Sequence, residues 1–208
     1  VVAEIKKYYT HSVIMVVSNP VDVMVSLCAQ GMGLPDGMVF GTGCTLDTSR
    51  MIRVIADYVG LNTAVINGYI VGEHGDSQIP LWSRLSVGGI TMGEYCASVG
   101  LPWTAEERTR IAEEVRTMGA SIISAKGKTH YGIATCVCLL ADAAGALPEG
   151  GQLLRRPVLL DAALHPVAAD DRRYAQRHTG HAVLPLQRGG HGGDGGALVQ
   201  HRVRQQAH

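Results

Sequence analysis

The chain has 208 residues, enough to bury the core of one compact domain or two small ones. Its 18 Lys and Arg balance 18 Asp and Glu, so no electrostatic footprint argues for nucleic acid or an anionic membrane, and a small neutral or anionic ligand fits better. Apolar runs such as Val13-Ile14-Met15-Val16-Val17 stay far short of the roughly 18 residues of a membrane span, and no signal-peptide pattern opens the chain. The five cysteines form no Cys-x-x-Cys pair, so reduced thiols in the cytoplasm are the expectation.

Residues 1–12 read as the end of a helix without a start signal of its own, which sets the expectation that further sequence precedes Val1. Val13 to Val17 is a continuous β-branched run, the pattern of a strand buried on both faces of a parallel sheet. Asn19 and Pro20 then read as N-cap and first residue of a helix in which Val21, Met24, Val25 and Cys28 share a face up to Gly31. That order, strand, tight turn and helix, is half of a βαβ unit. A short strand around Met38–Phe40 leads to Gly41-Thr42-Gly43. A second amphipathic helix follows, with Leu46, Met51, Ile55 and Val59 inward and Gly60 as its stop. Strand-like segments come next at Ala64–Val71 and Leu85–Met92. Thr104 and Glu107 form a capping box that opens a long helix with Ile111, Val115, Met118 and Ile122 on one side, ending near Gly127; another helix runs from about Thr129 to Ala144.

After about Leu147 the composition changes. Every lysine lies before residue 129, whereas six of the nine histidines lie after residue 147, and Gly189-Gly190-His191-Gly192-Gly193-Asp194-Gly195-Gly196 has no periodicity. Such a stretch buries too little apolar surface to offset its ordering entropy. Gly190, Gly192 and Gly195 match Gly-x-Gly-x-x-Gly in spacing alone, inside the low-complexity stretch and with no helical pattern after, and Gly127-Lys128-Thr129 has Ile122 where a phosphate-binding loop needs its first Gly. Neither reads as a phosphate cradle.

Three polar clusters sit at the ends of expected elements, where function concentrates. Ser18-Asn19-Pro20-Val21-Asp22 follows the first strand, at the edge where open α/β sheets bind ligands; an Asn there both donates and accepts, although the segment also reads as a plain strand-to-helix turn. Asp47 and Arg50, three apart on a helix, share a face: either they form an exposed ion pair of at most about 1 kcal/mol, or Arg50 forks onto a carboxylate while Asp47 accepts from an imidazole. Gly72-Glu73-His74-Gly75-Asp76-Ser77 places a His among turn-forming residues, either as a surface histidine or as a group that takes a proton from a hydroxyl and returns it.

These clusters, in this order and together with Gly41–Arg50 and Ala125-Lys126-Gly127-Lys128-Thr129-His130-Tyr131-Gly132-Ile133-Ala134, resemble the L-lactate/malate dehydrogenase family over residues 1 to about 145. Glu73 before His74 looks like the lactate branch rather than the malate branch, the bacterial lactate enzymes above all. The resemblance implies an α/β fold: a remnant of a Rossmann-type parallel sheet over 1–43, then a partial α+β catalytic domain over 44–147, with 148–208 as a low-complexity tail, disordered or frameshifted. It implies oxidation of an L-2-hydroxy acid to a 2-oxo acid, L-lactate to pyruvate with NAD as cofactor, or malate as the alternative substrate, in a homo-oligomer, tetramer or dimer.

By the same resemblance His74 is the proton acceptor and donor and Asp47 its orienting carboxylate. Arg50 binds the substrate carboxylate, Asn19 contacts substrate and nicotinamide, Thr129 shapes the substrate pocket, and Ile133 packs on the nicotinamide ring. The family's glycine-rich fingerprint and specificity loop belong upstream of Val1, so a non-catalytic piece that only associates with intact subunits is a third reading. Ile52 and Asn67 stand where members activated by a sugar bisphosphate carry Arg and His, so that activation is not expected. A metal-dependent hydrolase using Glu73, His74 and Asp76 is a weaker competitor, because these neighbours lack the spacing that converges on one ion.

The tail reads like GC-rich DNA translated out of frame from residues 144–150 onward. Sequencing the gene through those codons is expected to reveal a displaced frame; the same frame in clean DNA, with a protease-resistant tail, would overturn that expectation.

Overall fold

The computed structural model describes residues 1–145. Helix α1 (Val2–Tyr8) packs on α2 (Val21–Met32), which connects two parallel strands, β1 (Ile14–Val16) and β2 (Val39–Gly41), paired Ile14 to Val39, Met15 to Phe40 and Val16 to Gly41. The strand-turn-helix-strand order is as expected, with two differences. β1 is half-buried rather than sealed on both faces, being paired on one side with β2. The N-cap of α2 is Pro20, with no side-chain cap, so Asn19 is released from capping and lies outside the helix. Gly41 is required by close approach: a Cβ there would stand 2.6 Å from Val25 Cγ2 and 3.1 Å from Val21 Cγ2, so only glycine lets β2 lie this near α2.

The second part is built on α3 (Thr45–Val59) and α5 (Ala105–Lys126). Met51, Ile55, Ile111 and Val115 have no solvent exposure, and with Leu85, Met92 and Cys96 they make the centre of the core. The 3.6-residue spacing of these apolar positions explains why both helices form and which faces meet. Each ends on an αL glycine, Gly60 and Gly127, as expected. The Tyr58 hydroxyl of α3 donates to the Pro102 carbonyl, and Trp82 meets Trp103 edge to face at 5.6 Å, closing the end of the core before α5. Helix α6 (Tyr131–Gly145) lies against α3 and buries Cys136 and Leu140.

The two long strand-like segments resolve into shorter pieces. A 3₁₀ turn over Thr63–Val65 precedes β3 (Ile66–Asn67) and β4 (Ile70–Val71); β4 pairs antiparallel with β5 (Ile79–Pro80). Leu85–Met92 is a hairpin, not one strand: β6 (Ser86–Val87) turns through Gly88 and Gly89, φ 59° and 91°, into β7 (Ile90–Thr91), and β6 also pairs with β3. Two positive-φ residues in succession restrict the turn to Gly, Asn or Asp, and Gly-Gly adopts it without a Cβ clash. Helix α4 (Met92–Val99), absent from the sequence reading, starts on a reciprocal capping box between Thr91 and Glu94, whereas Thr104 accepts from the Glu107 N–H at the start of α5. Among the described residues no helix is long and apolar enough to cross a membrane. The Gly190–Gly195 segment and the expected frame change lie outside the described residues.

Ile111→Ala removes a fully enclosed side chain between α5 and α3 and is expected to cost roughly 2–5 kcal/mol. Ile123→Ala, on the same helix but 51% exposed, is expected to stay within about 0.5 kcal/mol. Urea denaturation of both variants checks the contrast.

Candidate active site

The turn after β1, the start of α3, the loop between β4 and β5, the inner side of α5 and the turn into α6 surround one cleft of about 440 Å³. All six residues singled out from the sequence line it: Asn19, Asp47, Arg50, His74, Thr129 and Ile133. They span more than a hundred positions of chain, so only the tertiary fold assembles them. Thr48 Oγ1 accepts from the Ile70 N–H at 2.9 Å, tying α3 to the strand that leads into the His74 loop.

Asp47 is the centre of the arrangement. Its side chain is 4% exposed, and its two oxygens divide between two partners: Oδ2 lies 2.5 Å from His74 Nδ1, and Oδ1 accepts from an Arg50 NH group at 3.2 Å. The exposed ion pair considered from the sequence is therefore a part-buried three-member chain, His74–Asp47–Arg50, centred on a buried carboxylate. A carboxylate against Nδ1 makes that nitrogen the N–H, which leaves Nε2 as the atom that exchanges a proton. The hydrogen bond to Asp47 raises the His74 pKa above its ordinary value; partial burial and Arg50 oppose the rise without cancelling it.

Arg50 spends one donor on Asp47, and its guanidinium faces Gly119 of α5, where a Cβ would stand 3.6 Å from both terminal nitrogens. The remaining donors suit a planar carboxylate. Arg116 stands on the rim, bonded to Glu113 and 4.0 Å from Asp76.

Features not anticipated from the sequence complete the surroundings. Gln78 lines the cleft with its side-chain oxygen buried and without a hydrogen-bond partner among the described residues; an unpaired acceptor in a wall suits a ligand N–H or O–H. Lying between the His74 motif and β5, outside every expected element, it carried no signal. Asp22 reaches from α2 to accept the backbone N–H of His74 at 2.9 Å, a contact between residues 52 apart in sequence. The Cys44 thiol donates to the Gly72 carbonyl at 3.4 Å, and burial, followed by the carboxylates of Asp47, Asp22 and Glu73, pushes its pKa far up, so it stays protonated and is no nucleophile.

The three side chains of the metal alternative do not converge. Glu73 accepts from the Ser77 hydroxyl at 2.6 Å, His74 Nδ1 faces Asp47, and the Asp76 side chain is 98% exposed. Among the described residues no group of three such side chains could hold an ion.

A sequence profile described as "lactate/malate dehydrogenase, alpha/beta C-terminal domain" matches residues 44–165, running past residue 145, where the block-by-block resemblance ends. L-lactate dehydrogenase of Chloroherpeton thalassium is 34% identical over 171 residues, covering 77% of this chain and 56% of that protein. L-lactate dehydrogenase 1 of Bifidobacterium longum subsp. longum is 43% identical over 125 residues, covering 60% and 40%. The solved L-lactate dehydrogenase from Clostridium thermocellum superposes with a TM-score of 0.59 at 41% identity, over 68% of this chain and 45% of that one. The minor L-lactate dehydrogenase from Enterococcus mundtii gives 0.64 at 36% identity over the same shares. The chain thus spans about half the length of the relatives it matches.

Because the folded pKa of His74 is raised, the His74–Asp47 contact stabilises the protein fully below the unfolded histidine value of about 6.5, and that stability is lost as pH rises through the folded value. Asp47→Asn removes the cause, so the His74 titration followed by NMR is expected to move to lower pH. An unmoved midpoint would show that Asp47 does not set it.

Proposed function

This chain belongs to the lactate/malate dehydrogenase family, and we propose that it carries the proton-transfer and carboxylate-binding half of an NAD-dependent L-lactate dehydrogenase. The observation that carries this reading is the single buried carboxylate of Asp47, joined to a proton-exchanging His74 and to a cation, Arg50, in the wall of one cleft. A 2-hydroxy acid presents two groups close together, a carboxylate and a hydroxyl on the adjacent carbon. Arg50 binds the first by a forked contact, and neutral His74 accepts the hydroxyl proton through Nε2. The imidazolium so formed is stabilised by Asp47, 2.5 Å away. In the reverse direction protonated His74 returns the proton to the 2-oxo group, so reduction weakens as pH rises through the raised His74 pKa, while oxidation weakens as pH falls through it.

The cleft fits the reactive end of a nicotinamide cofactor. Val17 and Ile133 offer apolar surface for the ring, and the Asn19 amide and the unpaired Gln78 oxygen offer polar partners. Bound there, NAD would accept the hydride that leaves the substrate carbon. The described residues contain no glycine-rich phosphate loop, so the remainder of the cofactor site is assigned to sequence outside them. Glu73 favours lactate over malate as the substrate, and assembly into a homo-oligomer and a cytoplasmic location follow from the same family reading.

Residues 1–145 grafted into an intact relative are expected to preserve NADH-dependent pyruvate reduction, with pyruvate preferred to oxaloacetate. His74→Asn in that chimera is expected to lower kcat by roughly two to four orders of magnitude, and Arg50→Leu to raise KM for pyruvate. Full activity after His74→Asn would sink the assignment. A chain that forms mixed oligomers with intact subunits, with no turnover in the chimera, would favour the non-catalytic reading.

A further inference from the structure

Nothing in the proton transfer described above uses Asp22, yet its carboxylate accepts the backbone N–H of His74 at 2.9 Å across 52 residues of chain. We propose that Asp22 is a positioning residue for His74: it pins the histidine backbone to the turn that presents Asn19, and its negative charge acts with that of Asp47 on the imidazole. The proposal rests on His74 being the proton-exchanging group.

The geometry supports this in three ways. First, the His74 loop has few internal anchors. Between β4 and β5 it is held by the Glu73–Ser77 contact, by the Gln78 N–H on the Gly75 carbonyl at 3.3 Å and by the Cys44 thiol on the Gly72 carbonyl, and the N–H of His74 itself is satisfied by Asp22. Asp47 orients the ring through Nδ1 but leaves the backbone free to shift, and a displacement of about 1 Å at a reacting group costs on the order of a hundredfold in rate.

Second, Asp22 is well placed to act as a strut. It lies in the first turn of α2, where a negative charge is favoured, and α2 takes no side-chain cap from Pro20. Asn19 and Asp22 both follow β1, three residues apart, and Asn19 lines the cleft. A bond from Asp22 to His74 therefore sets the separation of two cleft residues that come from different parts of the fold.

Third, the charge has the right sign. The charged groups acting on His74 are Asp47 and Arg50 of α3 and Asp22 of α2, while Arg116 of α5 and Asp76 line the same cleft and the neighbouring Glu73 bonds Ser77; Asp22 adds to the rise in the His74 pKa that Asp47 dominates. Asp22 is exposed, so its charge is screened and its influence on the titration is smaller than that of Asp47.

The test uses the 208-residue chain. NMR follows the His74 imidazole titration and hydrogen exchange at the His74 amide in the unsubstituted chain, Asp22→Asn and Asp22→Ala. Asp22→Asn keeps an acceptor oxygen but no charge, so the amide stays protected while the midpoint moves to lower pH, by less than in Asp47→Asn. Asp22→Ala loses both, and exchange at the amide speeds up roughly tenfold or more, the loss of one hydrogen bond to a charged acceptor. An unchanged midpoint in Asp22→Asn, or unchanged exchange in Asp22→Ala, overturns the proposal. Asp22→Asn, nearly isosteric, keeps the test decisive should Asp22→Ala fail to fold. Adding pyruvate to the unsubstituted chain tests the enzymatic reading separately: no response of His74 would count against that reading, while the Asp22 contact stands or falls on its own two measurements.

Discussion

A carboxylate sealed from water costs several kcal/mol unless cations and donors surround it. Asp47 meets that condition by placing one oxygen on the His74 ring and the other on Arg50. One buried charge thereby fixes the tautomer and pKa direction of the His74 imidazole and the position of the Arg50 guanidinium. It requires that α3 present both Asp47 and Arg50 on one side of its first two turns, and that the loop after β4 arrive beside them. The bond between Thr48 and the Ile70 N–H holds that strand to α3.

The remainder of the fold keeps this arrangement in place. The apolar side of α3 is locked against α5, so the helix carrying Asp47 and Arg50 is seated in the main apolar core of the described residues. The same α5 gives the cleft its opposite wall, with Gly119 leaving room beside the Arg50 guanidinium. On the other side, the close approach of β2 to α2 at Gly41 fixes the turn that delivers Asn19 and Asp22. The cleft is thus the place where a parallel βαβ fragment and a helical α+β core touch, and its polar residues come from both.

Membership in the lactate/malate dehydrogenase family agrees with this division of labour. The chain spans about half the length of its matched relatives, and the half in hand carries the cleft with the His74–Asp47–Arg50 chain, to which the proposed reading gives carboxylate binding and proton transfer. Hydride chemistry needs a dinucleotide whose phosphates and ribose lie well away from the reacting carbon, so their binding groups need not share this part of the chain.

What the sequence determined by itself was local. The 3.6-residue pattern defined α3 and α5 and their inward faces, the αL glycines 60 and 127 marked their ends, and the spacing of Asp47 and Arg50 placed them on one face. Short-range signals that compete or overlap were misread: Gly88-Gly89 inside an apolar run is a hairpin turn, the eight-residue α4 was hidden behind it, and β5 includes a proline. The motif around His74 suggested proton-transfer chemistry, but no spacing in the chain says that Asp47 is shared by two partners, that the Gln78 oxygen is buried, or that Asp22 accepts from the His74 backbone. Those are contacts across tens of residues. Secondary-structure periodicity carries no record of them, so they exist only once packing has brought α2, α3, α5 and the β4–β5 loop around one cleft.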